Sequence, residues 1–177
     1  MNKAVFLDRD GVINHTLIKM GKPRAPYTME EFSFIQGVEE AISKFKAAGL
    51  VLIVVTNQPD VSRGWVTMEQ VVMVNDHVFK TLGVEEVMSC FHTDADNCHC
   101  RKPKPGMILD AAKKWNIDLT KSFMVGDRLS DVDAGQRAGC KSILVGPGDG
   151  IGAIIPDHQS ENLLTASEWI LNSVNAF

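Results

Sequence analysis

The sequence predicts a doubly wound α/β fold, a Rossmann-like parallel sheet forming one domain over residues 1–177. Two observations carry that expectation. Apolar, β-branched runs recur at residues 4–8, 50–56, 87–92, 122–127 and 142–146, and most are unbroken by polar residues, as strands buried on both faces are. Helically spaced stretches separate them, and strands alternating with helices imply parallel crossovers.

Taken in order, the first run ends in Asp8-Arg9-Asp10-Gly11, and residues 14–36 follow as an irregular flap. Over 37–49, Val38, Ile42 and Phe45 share a helical face and Gly49 ends it. The second run ends in Thr56-Asn57-Gln58. The next helical stretch, 67–83, opens with the capping-box pair Thr67 and Gln70 and closes at Gly83. The third run enters SCFHTDADNCHCRKPKPGM, an irregular segment, before the helical stretch 104–117. The fourth ends in Gly126-Asp127, with Asp131 four residues on. A helical stretch over 129–139, the fifth run, an irregular stretch at 146–162 and a helix over 165–174 complete the chain. Met68, Met73, Met107 and Met124 read as core filling.

Composition narrows the class. Apolar residues make up 45% and charged ones 23%, with a net charge of −4 and a pI near 5.7. That balance argues against nucleic acid and anionic membrane as partners. The opening MNKAVFLDRDG holds neither a signal peptide nor a membrane span, so a cytoplasmic protein is expected; a monomer is expected as well. In a reducing compartment clustered cysteines read as metal ligands rather than disulfides.

In such a sheet, chemistry collects at the carboxyl ends of the strands. Those ends bring together Asp8, Asp10, Thr56, Lys102 and Asp127. Asp8 and Asp10 lie two apart in extended chain and can share a face. One carboxylate can attack phosphorus while its neighbour shuttles a proton. Clustered carboxylates with no second positive residue on that face invite Mg²⁺, completed by Asp127. Thr56 and Lys102 would hold phosphoryl oxygens and offset their charge.

FLDRDGVIN, VVTNQ, CRKPKPG and MVGDRLSD resemble, in order, the four motifs of the haloacid dehalogenase (HAD) superfamily of phosphatases. The DRDG start with C-x-H and C-x-C-R-K-P resembles its histidinol-phosphatase-like branch. The resemblance implies a HAD fold with minimal cap, Asp8 as nucleophile, Asp10 as general acid and base, and Lys102 as the charge-stabilising lysine. It implies Thr56 and Asn57 as phosphate-binding, and Asp8, Asp127 and Asp10, through its carbonyl, as Mg²⁺ ligands. Arg101 and Arg63 are expected to contact substrate, a small phosphorylated metabolite. A sugar bisphosphate is favoured, a heptose 1,7-bisphosphate losing its 7-phosphate, with the basic flap MGKPRAP helping to hold the second phosphate. Histidinol phosphate is the alternative substrate, and a receiver-like phospho-acceptor module the alternative outside enzymes. Pro59-Asp60 departs from the TNQSG common in relatives, which makes that loop the least transferable. Asp131 reads as second to the metal or structural.

The spacing of Cys90, His92, Cys98 and Cys100 supplies four N and S ligands for a closed, structural Zn²⁺ site. His99 lies between two ligands and should point away. Because Cys100 stands two residues before Lys102, the clamp is expected to aim the lysine. Lys104 reads as solvated, Cys140 as a small core residue and His77 and His158 as surface or packing, while His15 is in reach of the site. GPGDG at 146–150 lacks the P-loop lysine and reads as a turn.

Overall fold

A computed structural model describes residues 1–148 and 153–175. The chain runs β1 (Ala4–Leu7), β2 (Leu17–Lys19), β3 (Lys22–Arg24), α1 (Val38–Ala47), β4 (Val51–Asn57), α2 (Met68–Leu82) and β5 (Glu86–Cys90). It continues through α3 (Gly106–Lys114), β6 (Phe123–Gly126), α4 (Leu129–Ala138), β7 (Lys141–Val145), β8 (His158–Ser160) and α5 (Leu163–Asn175). Six strands form one sheet in the order β5-β4-β1-β6-β7-β8, every adjacent pair parallel. Strand order reverses between β1 and β6, the place where such sheets open a crevice for ligands.

All four side chains of β1 are buried because both faces of the sheet are covered. Val5 and Leu7 face one core with Val38, Ile42 and Phe45 of α1 and Ile170 of α5. Ala4 and Phe6 face the other, with Met107 and Ile108 of α3 and Ala134 of α4. α2 carries the expected capping box, Thr67 accepting from the Gln70 amide and Gln70 from the Thr67 amide, and ends at Gly83 in a left-handed conformation. Among the described residues, no helix is long and apolar enough to cross a membrane.

Three details depart from the sequence reading. The flap is not wholly irregular: β2 and β3 pair there as an antiparallel hairpin. Residues 146–162 yield an edge strand, β8, whose three-residue HQS carries no apolar period to announce it. Met68 and Met73 lie outside the core, 49% and 56% exposed, whereas Met107 and Met124 fill it. Of GPGDG, Asp149 and Gly150 lie outside the described residues; Gly146 and Pro147 form a turn.

Candidate active site

The ends of β1, β4 and β6 and the segment before α3 line a crevice of about 290 Å³. The Asp8 amide donates to the Val125 carbonyl at 2.9 Å, which brings the β1 and β6 ends level. Lys102 is buried beneath them. Its Nζ lies 2.9 Å from Asp8 Oδ1 and 2.6 Å from Asp131 Oδ1, and donates to the Val55 carbonyl at 2.7 Å. Burial opposes its charge, but Asp131 and Asp8 outweigh that and hold the ammonium above its ordinary range.

The carboxylates show the opposite balance. Burial pushes Asp8 up to about 6, against the pull of Lys102 and with help from Asp131 and Asp10. Asp127 rises to about 7, through burial first and then the Asp8 and Asp131 charges. Its Oδ1 is buried without a hydrogen-bond partner, and oxygens of Asp8, Asp127 and Asp131 all lie within 4.8 Å of one another. An orphaned carboxylate oxygen among converging hard donors fits an octahedral cation with bonds of about 2.1 Å. Two glycines make the convergence possible. A Cβ on Gly11, at φ +87°, would collide with the Asp127 carboxylate, and one on Gly126 with Asp131.

Asp10 stands apart from that cluster. Its Oδ1 accepts from Asn14 at 2.9 Å and its Oδ2 from Gln58 at 2.6 Å. Arg9 Nη2 donates to both of its oxygens at 3.1 Å. The face therefore does hold a second cation, Arg9, fully buried and turned back onto its sequence neighbour. Gln58 also donates to Thr56 Oγ1 at 2.9 Å, tying the two strand ends together. The Asn57 side chain spends both polar ends on the Lys102 backbone, donating to its carbonyl at 3.0 Å and accepting from its amide at 3.1 Å.

Arg101 and Arg63 both line the crevice, each steered by an acid. Arg101 reaches Asp94 at 2.7 Å and the His92 carbonyl at 3.3 Å, and Arg63 reaches Asp60 at 2.9 Å. Arg24 of the flap and Arg128 at the start of α4 join them. Arg24 is fixed by Glu31, which it holds down at about 2. The Tyr27 hydroxyl donates to Asp60 at 2.7 Å, so the flap is tethered to the loop after β4. His15, in contrast, is exposed and outside the crevice lining.

Beside the crevice, Cys90, His92 Nδ1, Cys98 and Cys100 converge with edges of 2.9 to 3.6 Å. Zn–S bonds of about 2.3 Å in a tetrahedron give edges of about 3.8 Å, so the set fits that ion after slight expansion. His99 points away, onto Asp110 at 2.9 Å. Lys104 is not free in solvent: it donates to the Cys98 carbonyl at 2.7 Å and to Asn97 at 2.5 Å, bracing the cysteine loop. Cys140 is a buried core thiol, pushed up to about 12 by burial. His77 packs on Phe34 and His158 on Trp169.

The sequence reading missed Arg9, Asn14, Gln58 and Asn75. Only Asn75 left a signal, as an amide interrupting the buried stripe Val71, Val74 and Val78 of α2.

Parallel sheet, Asp-x-Asp-Gly strand end, buried lysine and glycine-aspartate strand end together define a HAD-type phosphatase. A family model described as "HAD-hyrolase-like" matches residues 99–168. The D-glycero-beta-D-manno-heptose-1,7-bisphosphate 7-phosphatase of Helicobacter pylori is 41% identical over 81% of this chain and 83% of its own. The Neisseria meningitidis serogroup B enzyme of that name is 32% identical over 98% of this chain and 97% of its own. The D,D-heptose 1,7-bisphosphate phosphatase of B. bronchiseptica, solved with magnesium and phosphate, superposes with a TM-score of 0.84. It is 30% identical and covers 96% of this chain and 98% of its own. The chain belongs to the heptose-bisphosphate phosphatase family of HAD-like hydrolases.

Proposed function

We propose that this phosphatase removes the 7-phosphate of D-glycero-β-D-manno-heptose 1,7-bisphosphate through an aspartyl-phosphate on Asp8. The observation that carries the mechanism is the buried Lys102 ammonium between Asp8 and Asp131, beside the orphaned oxygen of Asp127. The names of the relatives carry the substrate.

With Asp8 near 6, its carboxylate is ionised at neutral pH and available as nucleophile. An Asp8 oxygen bonds to phosphorus as the P–O7 bond breaks, and the Asp10 carboxyl gives its proton to O7. Water then attacks phosphorus, Asp10 takes its proton, the Asp8–phosphorus bond breaks and inorganic phosphate leaves. Lys102 and the Thr56 hydroxyl stabilise charge on the phosphoryl oxygens. Asp8, Asp127 and the Asp10 carbonyl would hold Mg²⁺, with Asp131 adjoining; the ion supplies neutralisation of carboxylate against phosphate. Arg24, Arg63, Arg101 and Arg128, spread round the crevice, suit the second phosphate of a bisphosphate. Zn²⁺ on Cys90, His92, Cys98 and Cys100 is assigned a structural role, because four protein ligands leave no open position.

The test is phosphate release, with Mg²⁺, from the two heptose bisphosphate anomers and histidinol phosphate side by side. The β-anomer should be turned over fastest, and Asp8→Asn should abolish release. A clear preference for histidinol phosphate overturns the substrate, and an active Asp8→Asn protein overturns the mechanism.

A further inference from the structure

Helix α2 buries an amide where its pattern calls for an apolar residue. Val71, Val74 and Val78 form its inward stripe, and Asn75 sits among them at 9% exposure. A buried amide must be hydrogen-bonded, and asparagine is a poorer helix former than leucine. A position that breaks a local rule inside an otherwise consistent element points to function rather than folding.

The partners of Asn75 say which function. Its Oδ1 accepts from Arg9 Nη1 at 2.7 Å, and its Nδ2 donates to Ser89 Oγ on β5 at 2.9 Å. The other edge of the same guanidinium, Nη2 and Nε, faces Asp10, with Nε at 3.3 Å from Oδ1. A guanidinium is a rigid planar fork. Its two edges here are claimed by two different elements, so Asn75 fixes the plane in which Arg9 meets the Asp10 carboxylate. Ser89 pairs in register with Thr56, the β4 residue that also accepts from Gln58, which with Asn14 is a further donor to Asp10. The chain Ser89, Asn75, Arg9, Asp10 thus runs from the sheet edge to the proton shuttle.

We propose that Asn75 is a positioning residue for this reaction, acting through Arg9 to orient the Asp10 carboxyl toward the leaving oxygen. The proposal rests on Asp10 being the general acid. A leaving group that needs no proton is then indifferent to Asn75, whereas an alkoxide depends on it. General acids contribute about 10²- to 10⁴-fold, and misplacement by about 1 Å can cost about 10²-fold.

The test compares the first phosphoryl transfer, by rapid quench with Mg²⁺ present, from p-nitrophenyl phosphate and from the heptose bisphosphate. In Asn75→Leu the nitrophenolate burst should stay within about 3-fold of the native rate, while transfer from the alkyl phosphate falls about 10- to 100-fold. Asn75→Asp keeps an acceptor for Arg9 and should restore most of the alkyl rate. Equal losses on both substrates, no loss on either, or no rescue by aspartate overturns the proposal. Asn75→Met repeats the test if the leucine variant does not fold. Should neither fold, Asn75 is a stability residue and the inference fails. Asp10→Asn separates the two ideas: if it too lacks leaving-group selectivity, the general-acid assignment is at fault. If it shows that selectivity and Asn75→Leu does not, only the role of Asn75 falls.

Discussion

Without its divalent cation the protein should lose stability as pH rises. Burial lifts Asp8 from 3.8 to about 6 and Asp127 from 3.8 to about 7 in the metal-free fold. The folded chain then keeps protons that the unfolded chain has already released. For a carboxyl raised on folding, stability is full below the unfolded pKa and disappears as pH climbs through the folded one. At about 1.4 kcal/mol per pH unit, moving from pH 5 to 8 costs about 3 kcal/mol through Asp127 and about 1.4 through Asp8. The rise of Asp127 already contains the Asp8 charge, so the two together come to about 3–4 kcal/mol, or roughly 6–16 °C for a chain of this size. Mg²⁺ binds the ionised carboxylates, so the melting shift it produces should grow from pH 5 to pH 8. Asp127→Asn is neutral at every pH; it should melt higher than the native metal-free protein at pH 8 and lose most of its response to Mg²⁺. The assay is calorimetry on protein freed of Mg²⁺ by gel filtration, with Zn²⁺ kept in the buffer. A native melting temperature that is flat or rises from pH 5 to 8, with Asp127→Asn running parallel, would refute the reasoning.

Three further outcomes follow from the geometry. Lys102→Met strands Asp8 and Asp131 without their buried counter-ion, which should cost about 3–5 kcal/mol in a denaturant melt and at least about 10²-fold in kcat. Tyr27→Phe cuts the flap free of Asp60 and should raise KM for the bisphosphate about 3- to 10-fold with kcat little changed, a loss of about 1 kcal/mol of binding. Stripping the Zn²⁺ proposed for the cysteine cluster with a thiol-reactive mercurial should raise KM more than it lowers kcat, read from initial rates at saturating Mg²⁺.

Strand ends were the most legible part of the molecule, because the chemistry there sits in contiguous motifs and both faces of the central strands are apolar. Asp8, Asp10 and Lys102 are therefore legible as neighbours in one crevice, with Asp127 converging on Asp8 and Thr56 buried behind Gln58. What escaped was pairing between distant side chains. Nothing local says that Arg9 turns back onto Asp10, since a charged residue in a strand-end turn reads as solvated. Nothing local says that the Asn57 side chain holds the Lys102 backbone, a contact spanning 45 positions of sequence. Lys104 was misplaced for the same reason: a lysine beside a proline shows no trace of the Cys98 carbonyl that it caps. The short strands β2, β3 and β8 escaped because three residues hold too little period to register.

The cysteine cluster aims less of the machinery than adjacency suggests. Cys100 stands two residues from Lys102, yet the lysine has its own mount: Asn57 grips its backbone on both sides, and Val55, Asp8 and Asp131 fix its ammonium. None of those five contacts passes through a cysteine or His92. Arg101 differs, because both of its partners, Asp94 and the His92 carbonyl, belong to the loop that the cluster closes. That loop is short, polar and without buried residues of its own over 94–96; the Thr93–Asp96 cap and Lys104 brace it, but no apolar packing does, so the ligand set supplies much of its order. Loss of the ion should therefore release Arg101 from the rim while Lys102 stays beneath the phosphate. Binding weakens and the chemical step persists, so a kcat that collapses while KM holds would place the lysine, after all, under the control of the cluster.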